Sequence, residues 1–343
     1  MDSESRVKAV GAAQESTACF LREIIHFTRM REWYPGKVPL VLGFILITSL
    51  AEPSSDDLSW LVTAYLLSAL YLATGYMLNN LADTEQDRVV HKRMGLDAFA
   101  LRWRVVPVTV SAAVCLGLGA VILPPAAAAC LLGCHILAWT YSFPPRFKEH
   151  VLLGPFVAAF AQVTAPALTC AVARGALPAI SGLYVVVTFL YGLRMLILHQ
   201  VIDYDNDIRT STRTTTTALG LATARNMLRA TFVGEFLGLS ALVPLLAEAG
   251  MPTVLLLALS WPLALAALRW RRGEKLGLDS YAYIPLADVH ESLMPLLLAG
   301  AMFYREGGIL TGAALSLMLF AFANWHVERL VRPLNRWEEP PHD

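Results

Sequence analysis

The sequence predicts an all-α, multi-pass membrane protein of nine to ten transmembrane helices. Three observations carry that prediction. Mean hydropathy is +0.53 and only 16% of residues are charged. Apolar runs of about 18 residues, long enough to cross a hydrocarbon core of roughly 30 Å, recur along most of the chain. Finally, 24 of the 27 Lys and Arg fall in alternate connections between those runs.

Taken in order, residues 1–17 are polar and carry no short apolar core, so no cleaved signal is expected. Residues 18–34 set Phe20, Leu21, Ile24, Phe27 and Met30 against Arg22, Glu23, Arg29 and Glu32. That pattern suits a helix lying in the membrane interface, with Trp33 and Tyr34 as anchors. The tripeptide Pro35-Gly36-Lys37 then turns the chain inward. Residues 1–37 are read as tail and interfacial helix, 38–330 as one transmembrane domain, and 331–343 as a C-terminal tail. Candidate spans lie at 38–52, 58–82, 104–122, 125–142, 150–173, 177–202, 227–248, 252–269, 290–304 and 307–325, the ninth being short.

Basic residues test the count. The segments 1–37, 83–104, 143–149, 203–229, 269–289 and 326–343 hold all but Arg174, Arg194 and Arg305. Positive charge marks the cytoplasmic side, so both termini are expected inside the cell and the number of spans even. The five cysteines (Cys19, Cys115, Cys130, Cys134, Cys170) sit mostly within apolar runs and read as packing residues. A bilayer is the expected surroundings, and no nucleic-acid partner is expected.

The chemistry concentrates where spans end. Asn79, Asp83 and Asp87, in "NNLADTEQD", are four residues apart. On a helix each such step turns about 40° and climbs about 6 Å, so the three share a stripe. Asp203 and Asp207 repeat the spacing after the sixth span, in "DYDNDIRTSTRTTTT". Glu85 and Asp205 fall on other faces. A charge at membrane depth is costly and faces a cavity or a partner. Two carboxylate pairs at one mouth need a cation, and hard oxygen ligands suit Mg²⁺ completed by substrate phosphates. The plainer alternative is that these acids cap helix ends in water.

Between the clusters lies "YSFPPRFKEH", in which Tyr141 ends a helix, Pro144 and Pro145 fix a turn, and Arg146 and Lys148 project. Together with Arg213, these cations suit the outer oxygens of a metal–diphosphate, although each also serves as a topology determinant. Within the sixth span, His199 precedes Asp203 by one turn and either orients that carboxylate, touches an acceptor, or makes a packing hydrogen bond. Arg194 is expected to pair with Glu235 or a backbone carbonyl. Asp288, His290 and Glu291, at the start of the ninth span, either form an acceptor-side wall or base, or cap the helix.

"NNLADTEQD" resembles the N-x-x-x-D-x-x-x-D motif of the UbiA superfamily of intramembrane prenyltransferases. "DYDNDIRTSTRT" is similar to that family's second D-x-x-x-D motif, and "YSFPPRFK" to its central Tyr-Ser-x-Pro-Pro-x-Arg-x-Lys loop. The resemblance implies a helical bundle around a central cavity open to the cytoplasmic side. It implies Mg²⁺-dependent transfer of an isoprenyl group from a prenyl diphosphate to a small, electron-rich or aromatic acceptor. By motif, Asn79, Asp83, Asp87, Asp203 and Asp207 would hold the metal–diphosphate, with Tyr141, Arg146 and Lys148 bordering the phosphates. The chain departs from the family in Asn80, where many members have Asp, and in Ser211, where many have Gly. The Arg-Pro-rich segment common after the first motif is replaced by "HKRMGLDAFA". A terpene cyclase using the same machinery without an acceptor is the alternative. A cation-coupled transporter fits less well, because its acids would lie in discontinuous helices near the bilayer midplane.

Overall fold

In a computed structural model, the structure describes residues 23–34, 36–54, 57–89, 101–251, 253–271, 289–306 and the single positions 308, 312 and 316. Asp288 and all of the tenth candidate span but those three positions lie outside them. The described residues contain helices and no strand. Nine long helices follow one another: α1 (Lys37–Ala51), α2 (Asp57–Ala82), α3 (Leu101–Ile122), α4 (Pro125–Ser142), α5 (Leu153–Arg174), α6 (Ala179–Ile202), α7 (Leu221–Glu248), α8 (Thr253–Arg271) and α9 (Met294–Glu306). They coincide with the first nine candidate spans. Five of them, α2, α3, α5, α6 and α7, are long and apolar enough to cross a membrane.

Each helix packs on the next, and α9 packs back on α1, so the nine close into a ring. Within it α1 also touches α5 and α6. Every residue of α1 from Val38 to Leu50 is buried, which is why its sequence is apolar on all sides. Gly43 brings α1 against α6: a Cβ there would collide with the Tyr184 hydroxyl. Tyr184 instead donates to Leu40 O at 3.1 Å, and Thr48 and Ser181 share a bond of 3.0 Å beside it. Small residues and hydroxyl bonds are what hold helices together where lipid removes the hydrophobic drive. The outer helices α3 and α7 leave Val110, Val114, Val233, Phe236 and Leu237 exposed. On a bundle in lipid, such a surface is solvated by acyl chains.

One wide π turn, Phe160–Thr164, interrupts α5, and another, Val289–Leu293, opens α9. Such turns shift the helical register and concentrate at functional sites. In the first, the Ala161 carbonyl accepts the Tyr71 hydroxyl at 2.8 Å. Both turns border the central cavity.

At one end of the bundle α2 gives way to a short helix, Thr84–Val89, and α6 to another, Tyr204–Arg209. The α4–α5 connection lies beside them. Residues 23–34 pack there too, through a hydrogen bond of 2.7 Å from the buried Asn80 amide to Phe27 O. At the other end Arg174 pairs with Asp57 at 2.5 Å and donates to Glu52 O at 3.0 Å, tying α5 to the α1–α2 connection.

Candidate active site

The i→i+4 bonding that begins in α2 runs past its end: Asp83 N donates to Asn79 O at 3.0 Å and Asp87 N to Asp83 O at 2.8 Å. The first acidic motif therefore keeps near-helical spacing across the turn at Asp83. The second does likewise, with Asp203 N on His199 O at 2.9 Å and Asp207 N on Asp203 O at 2.8 Å.

Between α2, α4, α5 and α6 lies a cavity of about 550 Å³. Asn79 from the first motif, Asp203 from the second, His199 from α6 and Tyr141 from α4 all border it. Its middle is lined by Tyr71, Leu72, Gly75, Ala138, Ala158 and Met195, small or apolar groups that leave room for a hydrocarbon tail. A volume of this size suits a small substrate and is mostly apolar with a few convergent polar groups.

The central loop reaches the first motif from outside the cavity. Lys148 Nζ forms a short ion pair with Asp83 Oδ1 and approaches Asn79 Oδ1 at 3.4 Å. Arg146, in left-handed backbone geometry after a cis Pro144–Pro145 peptide, bonds the same Asp83 oxygen at 3.3 Å and Glu149 at 3.0 Å. Burial pushes the Lys148 ammonium below its ordinary range, with Asp83 pulling it back up. The Asp207 carboxyl moves the other way, to about 6: burial raises it, a bond from Thr214 opposes, and the neighbouring Asp203 raises it further.

Not every expected residue meets the cavity. Asp83, Asp87 and Asp207 are not among its lining residues, and Arg213 is exposed on the loop after Tyr204–Arg209. Glu85 and Asp205 are exposed. His290 lies away from the lining, buried against Glu235 Oε1 at 2.8 Å, and its neighbour Glu291 takes the place on the wall. Arg194 pairs with Glu235, as its sequence position suggested, through bonds of 2.5 and 3.1 Å.

Two cations on the wall escaped sequence reasoning. Lys37, the first residue of α1, looks like one more topology charge. Arg29, among the six basic residues of 1–37, sits at φ 51 with its guanidinium 5.3 Å from the Tyr76 ring centroid. Neither has a sequence signal that separates it from its basic neighbours.

Oxygen donors from two helix ends converging on one mouth fit Mg²⁺. A bound cation would oppose the burial and the neighbouring Asp203 charge that raise the Asp207 carboxyl to about 6. Among the described residues, no three His, Cys, Asp or Glu side chains lie close enough to hold an ion unaided. Such a donor set fits a metal whose remaining positions are filled by water and substrate phosphates.

Comparison with known proteins places this geometry. Three solved structures share the fold. A UbiA homolog from Archaeoglobus fulgidus, bound to GPP and Mg²⁺, aligns with a TM-score of 0.61 at 20% identity, over 86% of this chain and 99% of that one. The apo structure of a UbiA homolog from Aeropyrum pernix K1 aligns at 0.56 and 16%, over 78% and 97%. The structure described for digeranylgeranylglyceryl phosphate synthase in membranes aligns at 0.53 and 15%, over 90% and 99%. No curated protein matches by sequence. A model of the UbiA prenyltransferase family matches residues 38–280, which takes in both acidic motifs and the loop between them. The chain therefore belongs to the UbiA prenyltransferase family and is a membrane enzyme that transfers prenyl groups.

Proposed function

We propose that this chain moves an isoprenyl group from a prenyl diphosphate to a small aromatic or otherwise electron-rich acceptor, with Mg²⁺, at the cytoplasmic side of the membrane. The observation that carries this reading is one cavity bordered by Asn79 and Asp203, 124 positions apart in the chain, and also by Tyr141.

The diphosphate would lie at the mouth, where Asn79, Asp83, Asp87, Asp203 and Asp207 would hold Mg²⁺. Mg²⁺ supplies Lewis-acid stabilisation of the charge that grows on the leaving oxygens. Arg146 and Lys148, spent on Asp83 in the free protein, exchange that carboxylate for phosphate oxygens, so substrate arrival frees Asp83 to act as a ligand. The same two cations then face the diphosphate as its bond to carbon breaks, already oriented by the rigid turn. Arg213, exposed on its loop, would add an outer contact. The apolar middle of the chamber keeps water from the allylic cation and leaves the prenyl tail in a hydrocarbon-like setting. His199, one turn from Asp203 on the wall, is placed to orient that carboxylate.

The acids at helix ends argue against a transporter, whose ion sites lie in broken helices near the midplane. The basic residues of the described loops on this side support a cytoplasmic mouth.

Asp203 gives the cleanest test, because it is exposed and its loss removes no core contact. Asp203→Ala and Asp83→Ala are expected to abolish Mg²⁺-dependent product formation by the reconstituted protein, while Glu85→Ala stays close to wild type. Either aspartate variant keeping more than about a tenth of wild-type turnover, only about 1.4 kcal/mol of barrier, would sink the assignment.

A further inference from the structure

The cavity has a second polar pole, on the side of α1 and α9. Lys37 Nζ lies 3.1 Å from Glu291 Oε1, and the Tyr191 hydroxyl donates a short bond to the same oxygen. Lys37 also stands 5.3 Å from the centroid of the Tyr191 ring. Behind them His290 stacks on Tyr191 at 4.8 Å and binds Glu235, which Arg194 neutralises.

The two halves of this network differ in one respect. Arg194 and Glu235 have side chains 2% and 0% exposed and serve as a staple between α6 and α7. Lys37 and Glu291 are 13% and 11% exposed, and both line the cavity. The open half therefore presents charge to whatever enters, while the closed half holds it in place. Room for the carboxylate is built in: a Cβ at Gly36 would meet Glu291 Cδ at 2.7 Å and both carboxylate oxygens at 2.8 Å. The π turn Val289–Leu293 sets the register that sends Glu291 to the wall while His290 faces α7.

An ammonium and a carboxylate side by side, neutral as a pair, offer one donor and one acceptor. A hydroxyl is their complement, donating to Glu291 and accepting from Lys37. A carboxylate on the incoming molecule would face Glu291, and an amine cation would face Lys37. An ammonium has three donors and a carboxylate about four acceptor positions.

The geometry points to Lys37–Glu291 as the acceptor subsite, taking a neutral phenol or alcohol by its hydroxyl, with Glu291 as the group that accepts its proton. This rests on the prenyl-transfer reading. In the step, an electron pair of the acceptor's hydroxyl oxygen forms the bond to the prenyl C1. The C1–O bond breaks with its electrons going to diphosphate, and the hydroxyl proton passes to a Glu291 oxygen and thence to water when product leaves. No oxidant or further reactant is needed.

The test uses the full chain in proteoliposomes with Mg²⁺ and geranyl, farnesyl or geranylgeranyl diphosphate. The acceptors are a phenol and its methyl ether. Wild type is expected to prenylate the phenol and not the ether. Glu291→Gln should lower transfer about 100-fold while diphosphate affinity, read by calorimetry, stays within twofold; that retained affinity also shows that the variant folds. Glu291→Asp should recover part of the lost rate. A Gln variant within twofold of wild type, equal use of the ether, diphosphate affinity falling in parallel with transfer, or a wild type that binds diphosphate yet prenylates no hydroxyl acceptor would each overturn the subsite. A wild type that binds no prenyl diphosphate at all would overturn the transfer reading itself, and the subsite with it.

Discussion

Glu235 receives Arg194 Nε at 2.5 Å, the second Arg194 nitrogen at 3.1 Å and His290 Nε2 at 2.8 Å, with all three side chains almost sealed from solvent. Replacing Glu235 by Leu would leave a guanidinium in an apolar interior with its carboxylate gone. Breaking a buried pair in this way costs about 3–5 kcal/mol. At about 2–4 °C per kcal/mol for a chain of this order of size, the melting midpoint should fall by on the order of 10 °C. The companion variant Arg194→Met should cost less, because His290 remains to bond the carboxylate. The double variant should recover most of the loss, since two apolar groups of similar size need no partner. A thiol-reactive dye offers the assay: Cys115 and Cys134 are buried and become reactive on unfolding, whereas the exposed Cys130 sets the baseline. If Glu235→Leu costs less than about 1 kcal/mol, or if the double variant loses the sum of the singles, the pair is not coupled and the reasoning fails.

Three further outcomes follow from particular contacts. Asn80→Asp removes the amide donor to Phe27 O and sets a carboxylate against that carbonyl, so amide exchange across residues 23–34 should quicken while the melting midpoint moves little; unchanged exchange would show that the bond does not hold the segment. Ser211 sits at φ 55, a backbone region that favours glycine, so Ser211→Gly should raise stability by up to about 1 kcal/mol, and a loss on thermal melting would contradict it. Because the folded-state Asp207 carboxyl is raised to about 6, it keeps its proton below that pH, and metal binding requires it lost. Affinity for the Mg²⁺–diphosphate should therefore be full above about pH 7 and fall, by up to tenfold per unit, as pH drops through 6. In calorimetry at several pH values the slope should shrink in Asp207→Asn, and equal slopes would refute the assignment.

Much of the protein is legible without coordinates, for a physical reason. Bilayer thickness fixes the length of an apolar helix, so nine spans coincide with described helices. Helical geometry turns a spacing of four into a stripe, so the two acidic motifs announce themselves, while Glu85 and Asp205, assigned by register to other faces, are exposed. Arg194 needed a partner at that depth, and Glu235 was near enough in sequence to name.

The tertiary structure alone decided what stands opposite what. Lys37 and Glu291 are 254 positions apart, and no local pattern links a charge at the start of α1 to one at the start of α9. His290 and Glu291 are adjacent, yet one faces α7 and the other the cavity. A helix surrounded by other helices is apolar on every side and gives no amphipathic cue to its rotation, and a π turn shifts the register further. Sequence thus determined which polar groups stand at the ends of the helices, because hydration and helix period act locally. Packing determined which of them share a wall, because that depends on contacts between segments far apart in the chain.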